Sequence, residues 1–207
     1  MLYIAGASDR LGRVADGNTV LDFDSEEKRR KSSVSSAIAA LEWDNTKLNI
    51  IDAPGLFDFE GGAAEAVRAA EAVLIVTSAG SGVDVGTEKA FRAAEKKGAA
   101  KFFAVTKTDS DHRNFYKTFD ALKEVYGNKL CPTIIPYMEG NITKCYVNLM
   151  TGMAFSYDEN GKATKVPVPE DSVIEEMTSA FMELSQPPTT LLWKNSSRVK
   201  NSPRRKY

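Results

Sequence analysis

The sequence has little of the chemistry that marks a secreted or membrane protein. It contains only two cysteines, Cys131 and Cys145, among 207 residues and no secretory signal, which argues against a disulfide framework and favours a reducing cytosol. Its apolar runs, such as Ala72–Thr77, are far shorter than the roughly 18 residues needed to span a bilayer. We therefore expect a cytoplasmic protein with no membrane partner.

Neither positive nor negative charge is in excess. The formal net charge is −1, with 27% charged residues of mixed sign, so the whole molecule has no strong electrostatic attraction to nucleic acid or membrane. We expect a monomer that has no DNA partner and that holds any anionic ligand in a local site. With 43% hydrophobic residues, the chain can bury the core of one medium domain with a small appendage.

The third feature that the sequence lacks is the Gly-rich phosphate loop G-x-x-x-x-G-K-[ST]. Gly6 and Gly12 have neither its spacing nor its Lys-Ser or Lys-Thr ending. That loop holds the β- and γ-phosphates of a nucleotide with backbone N–H groups. The usual phosphate cradle is therefore not encoded in this sequence.

Three short apolar segments alternate with two Ala- and Glu-rich segments in the middle of the chain. The predicted strands are Leu48–Ala53, Ala72–Ser78 and Phe102–Thr106, and the predicted helices are Gly62–Glu71 and Thr87–Lys97. Such alternation indicates βα units with strands buried on both faces. The predicted fold class is α/β, with a doubly wound, mainly parallel sheet.

The flanking segments extend this prediction. Ser35–Trp43 and Leu48–Asp52 read as antiparallel strands around the turn Asp44–Lys47. The charged segment Asp22–Ser33 reads as a mobile loop, and Ile134–Tyr137 as a fourth short strand.

We divide the chain into three parts. Residues 1–137 form the α/β domain, and 138–184 form a small inserted α+β subdomain that ends in a helix from about Pro169 to Leu184. Residues 185–207 contain six basic residues, no acidic ones and three prolines, so we expect this tail to be disordered.

Two motifs follow the predicted parallel strands. In Asp52-Ala53-Pro54-Gly55 a carboxylate can hold a Mg²⁺-bound water while a glycine N–H approaches a phosphate oxygen. In Thr106-Lys107-Thr108-Asp109 the carboxylate can accept both N–H donors on the edge of guanine, and the Lys stem can lie over the ring. Each motif alone is common, but both occur where ligands bind in this architecture.

From Met1 to about Leu184 the chain resembles the GTPase domain of elongation factor G, in a diverged paralogous branch. The residues that carry the resemblance are Arg13–Val20, Asp52–Phe59, Ser81–Glu88 and Thr106–Asp109. Tyr146–Leu149, with Tyr157 and the Gly161-Lys162 turn, resembles the insert subdomain of that factor. The resemblance implies a P-loop GTPase sheet that here lacks its first strand and phosphate loop, in a sequence truncated at both ends.

The resemblance also implies roles for individual residues. GTP would be contacted by Asp52, Ala53, Pro54, Gly55, Leu56, Thr106, Lys107, Thr108 and Asp109, and Mg²⁺ by Asp52 and Ser33. The implied cofactors are GTP or GDP with Mg²⁺, and the implied partners are the guanine nucleotide and the ribosome. His112, the only histidine, is interpreted as a surface residue.

Three residues depart from the family pattern. Ser33 stands at a Mg²⁺-binding Thr position, and Thr106 replaces the Asn whose hydrogen bonds stiffen the guanine loop. Leu56 replaces the His that orients the attacking water, and Leu has no group that can do so. We therefore predict no certain catalytic residue, impaired hydrolysis, and weak or no nucleotide binding by this chain.

The basic tail admits a separate hypothesis. Back-translated one base earlier, the segment from Ser185 to Val199 can encode an acidic helix of the kind expected next in the family, so we predict a frameshift near Ser185. The rival interpretation is an RNA-binding tail in which Trp193 stacks on bases.

Two functions follow as hypotheses. The first is an elongation factor G-like translational GTPase, whose family binds and hydrolyses GTP to drive ribosomal translocation. The alternative is a non-catalytic GTPase-like remnant that binds the ribosome or another protein.

Overall fold

The computed structural model describes residues 1–108, 114–127, 130–140, 142–158 and 161–185. Two compact units are present, Met1–Val125 and a second that begins at Tyr126. The first contains α1 (Ser25–Arg30), β1 (Ala37–Trp43), β2 (Thr46–Asp52), α2 (Glu60–Ala69), β3 (Ala72–Ser78), α3 (Val85–Lys97), β4 (Ala100–Thr106) and α4 (Phe115–Tyr126), whose last residue begins the second unit. The second contains β5 (Ile134–Glu139), β6 (Ile142–Asn148), β7 (Met153–Tyr157), β8 (Ala163–Val166) and α5 (Ser172–Ser185). Apart from Ser185, which ends α5, the predicted tail lies outside the described residues.

β1 and β2 form the predicted hairpin. They pair antiparallel from Ala37 opposite Asp52 to Trp43 opposite Thr46. The two turn residues, Asp44 and Asn45, have φ values of 47° and 57°. Two-residue hairpin turns with positive φ match the twist of the strands, and Asp and Asn tolerate that conformation. Trp43, at the outer end of the hairpin, is 55% exposed.

β3 and β4 form the parallel pair that the sequence predicts, with Leu74 opposite Phe102 and Ile75 opposite Phe103. The ring of Phe91 on α3 stacks on the ring of Phe103 at a centroid distance of 6.0 Å, so α3 covers the Ile75 face of this pair. The α3 helix ends at Gly98, whose φ of 74° provides a left-handed cap.

The opposite face of the β3–β4 pair is apolar and exposed. Side chains alternate between the two faces of a strand, and those of Leu74, Val76 and Phe102 point away from the Phe103 side. These three side chains are 54%, 60% and 56% exposed. We call them the open face. Exposed apolar side chains that adjoin one another are typical of surfaces that contact something else.

The described strands of the first unit do not form one continuous sheet. β1 pairs with β2, and β3 with β4, as two separate two-stranded sheets, because no described strand bonds to the remaining edge of β2 or β3. The segment Ile134–Tyr137 is a strand, as predicted, but it lies in β5 and pairs antiparallel with β6. It therefore belongs to the second unit and does not extend the parallel pair.

The second unit is a four-stranded antiparallel sheet in the order β5-β6-β7-β8, followed by α5. Ile135, Val147 and Ala154 have exposures of 2% or less and form the buried side of this sheet. The unit thus contains both strands and a helix. No helix in the described part of the chain is long and apolar enough to cross a membrane.

Candidate functional site

The Asp52 turn, defined as Asp52–Gly55, begins at the last residue of β2. Pro54 is buried, whereas Gly55 is exposed. A Cβ atom added at Gly55 would meet no atom within 4 Å, and its φ is not in the left-handed range. Packing within the protein therefore does not require glycine here.

The start of α2 packs closely against this turn. A Cβ atom added at Gly62 would lie 3.0 Å from Ser36 Oγ and 3.5 Å from Pro54 Cδ. The hydroxyl of Ser36 donates a hydrogen bond to the Gly62 carbonyl at 3.1 Å. Gly62 thus allows α2 to lie against both Pro54 and the chain that leads into β1, which fixes the direction of the segment after Gly55.

Lys89 on α3 holds the same segment from a second side. Its ammonium lies 2.7 Å from Glu60 Oε2 and 4.8 Å from the centre of the Phe57 ring. The Lys89 ammonium lowers the pKa of the Glu60 carboxyl. Both partners are exposed, so water and salt screen the ion pair, and its effect is to orient residues 57–60.

The carboxyl of Asp52 lies in an acidic environment. Partial desolvation raises its pKa, and the charges of Asp22 and Glu27 raise it further. Asp52 is nevertheless exposed as a residue, so water screens part of this repulsion. A cation near Asp52 would relieve the same repulsion.

The Ser33 hydroxyl forms no hydrogen bond with the Asp52 carboxylate in this structure. Its Oγ donates to Asp22 Oδ1 at 2.8 Å, and Thr19 Oγ1 donates to Asp22 Oδ2 at 2.7 Å. The proposed Mg²⁺ ligand is thus engaged with Asp22. Across the described residues, no group of three or more His, Cys, Asp or Glu side chains is placed to hold a metal ion. Ser33 and Asp52 carry the oxygen groups that Mg²⁺ prefers, but the Ser33 hydroxyl is bonded to Asp22.

Sequence reasoning missed Glu27, a buried carboxylate beside this region. The predicted loop Asp22–Ser33 contains α1, which begins with a capping box between Asp24 and Glu27. Glu27 is 1% exposed and accepts N–H groups from Asp24, Val34 and Ser35 at 3.0, 3.0 and 3.1 Å. These bonds lower the pKa of Glu27, the bond from Val34 most of all, although burial acts to raise it. The Asp-x-x-Glu spacing was the signal that could have predicted it.

The Lys107 loop, defined as Thr106–Thr108, follows the end of β4. Lys107 is exposed and has a φ of 57°, in the left-handed region that a lysine adopts at a cost of about 1 kcal/mol. Thr106 Oγ1 donates to the Thr77 carbonyl at 3.2 Å, and the Ala79 N–H donates to the Thr106 carbonyl at 2.9 Å. The end of β3 therefore holds the loop in place. Asp109 and His112 lie outside the described residues.

The predicted site residues thus form two groups. One contains the Asp52 turn, with Asp22 and Glu27 close enough to affect the Asp52 carboxyl. The other contains the Lys107 loop and the end of β3. Both follow the carboxyl ends of strands in the first unit, where nucleotides bind in α/β domains. Between described residues, no hydrogen bond or ion pair joins the two groups.

These features define an α/β domain as the class of the first unit. The family model of the elongation factor Tu GTP binding domain matches residues 1–187. The chain is 32% identical over 184 residues to an elongation factor G-like protein of Mycobacterium tuberculosis, covering 88% of this chain and 25% of that protein. It is 28% identical over 187 residues to elongation factor G of Mycoplasma genitalium, covering 88% of this chain and 27% of that protein.

A solved structure gives the same result. The chain superposes on a crystal structure of a Thermus thermophilus protein with a TM-score of 0.80 and 33% identity, covering 88% of this chain and 27% of the other. The chain belongs to the elongation factor Tu GTP-binding domain family, as an elongation factor G-like translational GTPase domain with a P-loop GTPase fold. Members of this family bind guanine nucleotide. The chain spans about a quarter of the length of the relatives it matches.

Proposed function

We propose that this chain is the nucleotide-binding part of an elongation factor G-like protein in which guanine recognition is retained and GTP hydrolysis is impaired. The Lys107 loop and Asp109 would read guanine, and the Asp52 turn, including Ala53 and Pro54, would face the phosphates. By analogy with its relatives, its partners would be a guanine nucleotide and the ribosome, and its process would be translation in the cytoplasm.

The observation that carries this proposal is the side chain that follows Gly55. Leu56 is 49% exposed and begins the segment that Lys89 orients. A hydrolytic site needs a group here that can hydrogen-bond to the attacking water, and Leu offers none. An exposed Leu at this point therefore supports binding without efficient turnover.

The phosphate side supports the same conclusion. The sequence encodes no Gly-rich phosphate loop, and the Ser33 hydroxyl is bonded to Asp22. A nucleotide would thus gain little from contacts to its β- and γ-phosphates, which usually provide strong charge-assisted hydrogen bonds. We expect affinity for GTP to be weak and to depend little on Mg²⁺.

Titration of the full chain with a fluorescent GTP analogue, with and without Mg²⁺, tests this proposal. We expect saturable binding with a dissociation constant on the order of 1 mM and no phosphate release above background. Leu56→His should not restore hydrolysis, and Leu56→Met, whose side chain has no N–H or O–H group, is the matched control. Micromolar, Mg²⁺-dependent binding, or turnover by Leu56→His, would show that the phosphate side is functional.

The open face favours a second candidate, a non-catalytic binding module. Leu74, Val76 and Phe102 adjoin one another in register across β3 and β4, and burying each would contribute roughly 1 to 2 kcal/mol. A surface of this kind gains free energy from a protein partner without any nucleotide. The ribosome is the partner that the relatives indicate.

Co-sedimentation with ribosomes in the absence of nucleotide separates the two candidates. If the open face carries binding, Leu74→Gln should lower the bound fraction several-fold. Leu11→Gln is the matched control, because Leu11 is 61% exposed but lies outside the open face. Equal binding by both variants, or binding only with GTP, would rule out the second candidate.

A further inference from the structure

Thr118 is a buried polar residue that neither motif includes. It lies in the first turn of α4 and is 3% exposed. Its hydroxyl lies 3.0 Å from the Ala79 carbonyl and 3.2 Å from the Asn114 carbonyl, as donor to both. Bonding to the carbonyl four residues earlier is common for Thr in helices. The bond to Ala79, across 39 positions of sequence, is not local and requires another explanation.

Ala79 connects Thr118 to the Lys107 loop. The same residue that accepts from the Thr118 hydroxyl donates its N–H to the Thr106 carbonyl at 2.9 Å. Thr106 in turn donates its hydroxyl to the Thr77 carbonyl at 3.2 Å. The two bonds hold the peptide groups on both sides of the Ala79 Cα atom, so each bond limits the motion of the backbone that forms the other.

A further hydrogen bond joins the end of β3 to the loop that follows it. The Thr77 hydroxyl donates to the Gly82 carbonyl at 2.7 Å, and Thr77 is 3% exposed. The segment Thr77–Ala79 is therefore fixed by buried threonine hydroxyls before it meets the Lys107 loop. Only the Thr118 hydroxyl brings α4 into this described network.

We propose that Thr118 is a positioning residue for the Lys107 loop, acting through the backbone of Ala79. It would take over part of the bracing that an Asn at position 106 would otherwise provide, since Thr106 has one hydroxyl where Asn has an amide with donor and acceptor groups. Lys107 has a left-handed backbone, which persists only where the surroundings hold it. The claim that the loop recognises guanine rests on the proposed function. The claim that Thr118 braces the loop does not.

The test compares Thr118→Val, which keeps the shape and removes the donor, with Thr118→Ser, which keeps the donor. Hydrogen exchange is measured by mass spectrometry on peptides that cover residues 77–82, 104–108 and 115–126. The hairpin 37–52 is the internal control, because none of its residues bonds to this network. In Thr118→Val we expect exchange in 77–82 and 104–108 to be about tenfold faster, with the hairpin unchanged. In Thr118→Ser all peptides should stay within about twofold of the parent.

Two results would overturn the proposal. Faster exchange in 115–126 alone would show that Thr118 serves only its own helix. A uniform increase in exchange that includes the hairpin would show that the hydroxyl does not brace the loop. The same conclusion would follow if Thr118→Val unfolds and loop exchange in Thr118→Ser is tenfold faster.

A nucleotide arm separates this proposal from the proposed function. If the parent binds GTP at millimolar concentrations, Thr118→Val should reduce its preference for GTP over ATP about tenfold, and Thr118→Ser should retain it. If the parent shows no preference for guanine, the proposed function fails. The exchange measurements then still decide whether Thr118 positions the loop.

Discussion

Lys89 Nζ lies 2.7 Å from Glu60 Oε2, joining α3 to the first residue of α2 across 29 positions of sequence. The same ammonium lies over the Phe57 ring. One side chain thus restrains the segment that follows Gly55, the part of the candidate site that would move if a phosphate were sensed.

The first prediction concerns this restraint. Lys89→Ala should leave the thermal midpoint nearly unchanged, because exposed ion pairs contribute little to stability. It should nevertheless accelerate hydrogen exchange in residues 56–60, because the Phe57 ring and the Glu60 carboxylate both lose their partner. Arg92→Ala, which removes an exposed Arg92–Glu88 pair within α3, is the control. Equal exchange in the two variants would contradict a restraining role for Lys89.

A second prediction concerns the buried carboxylate of Glu27. Backbone N–H groups, that of Val34 first, lower its pKa from the ordinary 4.5. The carboxylate therefore stabilises the fold above that ordinary value, and this stabilisation is lost as the pH falls through the lowered pKa. Glu27→Gln should reduce the free energy of unfolding at pH 7 by about 1 to 3 kcal/mol. The free energy of unfolding of this variant should also change less between neutral and acid pH.

Urea unfolding, followed by circular dichroism between pH 3 and pH 7, measures this effect, and Glu26→Gln is the control on the same helix. Arg29 and Arg30 lower the pKa of Glu26 to about 2, but Glu26 is exposed. Salt should therefore abolish the contribution of Glu26 and leave that of Glu27. A loss at Glu27 that disappears in high salt would mean that its backbone bonds are not the cause.

A third prediction concerns Asp52, whose pKa shifts in the opposite direction. Desolvation and the charges of Asp22 and Glu27 raise it above 3.8, so the folded state becomes less stable as the pH rises through the raised value. Asp52→Asn should therefore increase the free energy of unfolding at pH 7, by no more than about 0.5 kcal/mol at this exposed position. The gain should vanish below pH 3.8, the ordinary value of the group.

The measurement is urea unfolding of Asp52→Asn at pH 3 and pH 7, with Asp58→Asn as a nearby exposed control. A stability gain on loss of a carboxylate is typical of residues kept for function. Destabilisation by Asp52→Asn at pH 7 would instead show that Asp52 has a structural role.

The fourth prediction concerns base recognition. If the chain binds nucleotide at all, Asp109→Asn should shift its preference away from guanine, because a pair of acceptors becomes one acceptor and one donor. Competition between GTP and ATP for a fluorescent analogue measures the change, and Asp120→Asn on α4 is the control. An unchanged ratio of affinities would show that Asp109 does not read the base.

The sequence predicted elements whose signals are local. The turn at Asp44 and Asn45 and the apolar strands β2, β3 and β4 each depend on a few adjacent residues, and all are present. Strand partners were predicted less well. The segment 134–137 joins β6 because pairing depends on which edge is available, which the composition of a strand does not reveal.

Within the candidate site, the motifs identified positions but not their environments. Asp52 and Lys107 lie at strand ends as predicted. The bond from Ser33 to Asp22 and the bond from Thr118 to Ala79 each depend on a tertiary contact. Spacing along the chain has no signal for such contacts, since the partners are 11 and 39 residues apart.

The exposure of Trp43 at the end of the hairpin determines which spectroscopic probes will be useful. An indole already in contact with water changes its emission little when the chain unfolds, so the fluorescence of this residue would report poorly on unfolding. The substitution Phe91→Trp, at a ring stacked on Phe103, would supply the packed reporter that Trp43 is not. The Phe91→Trp variant should therefore show an emission change on unfolding that Trp43 alone does not provide.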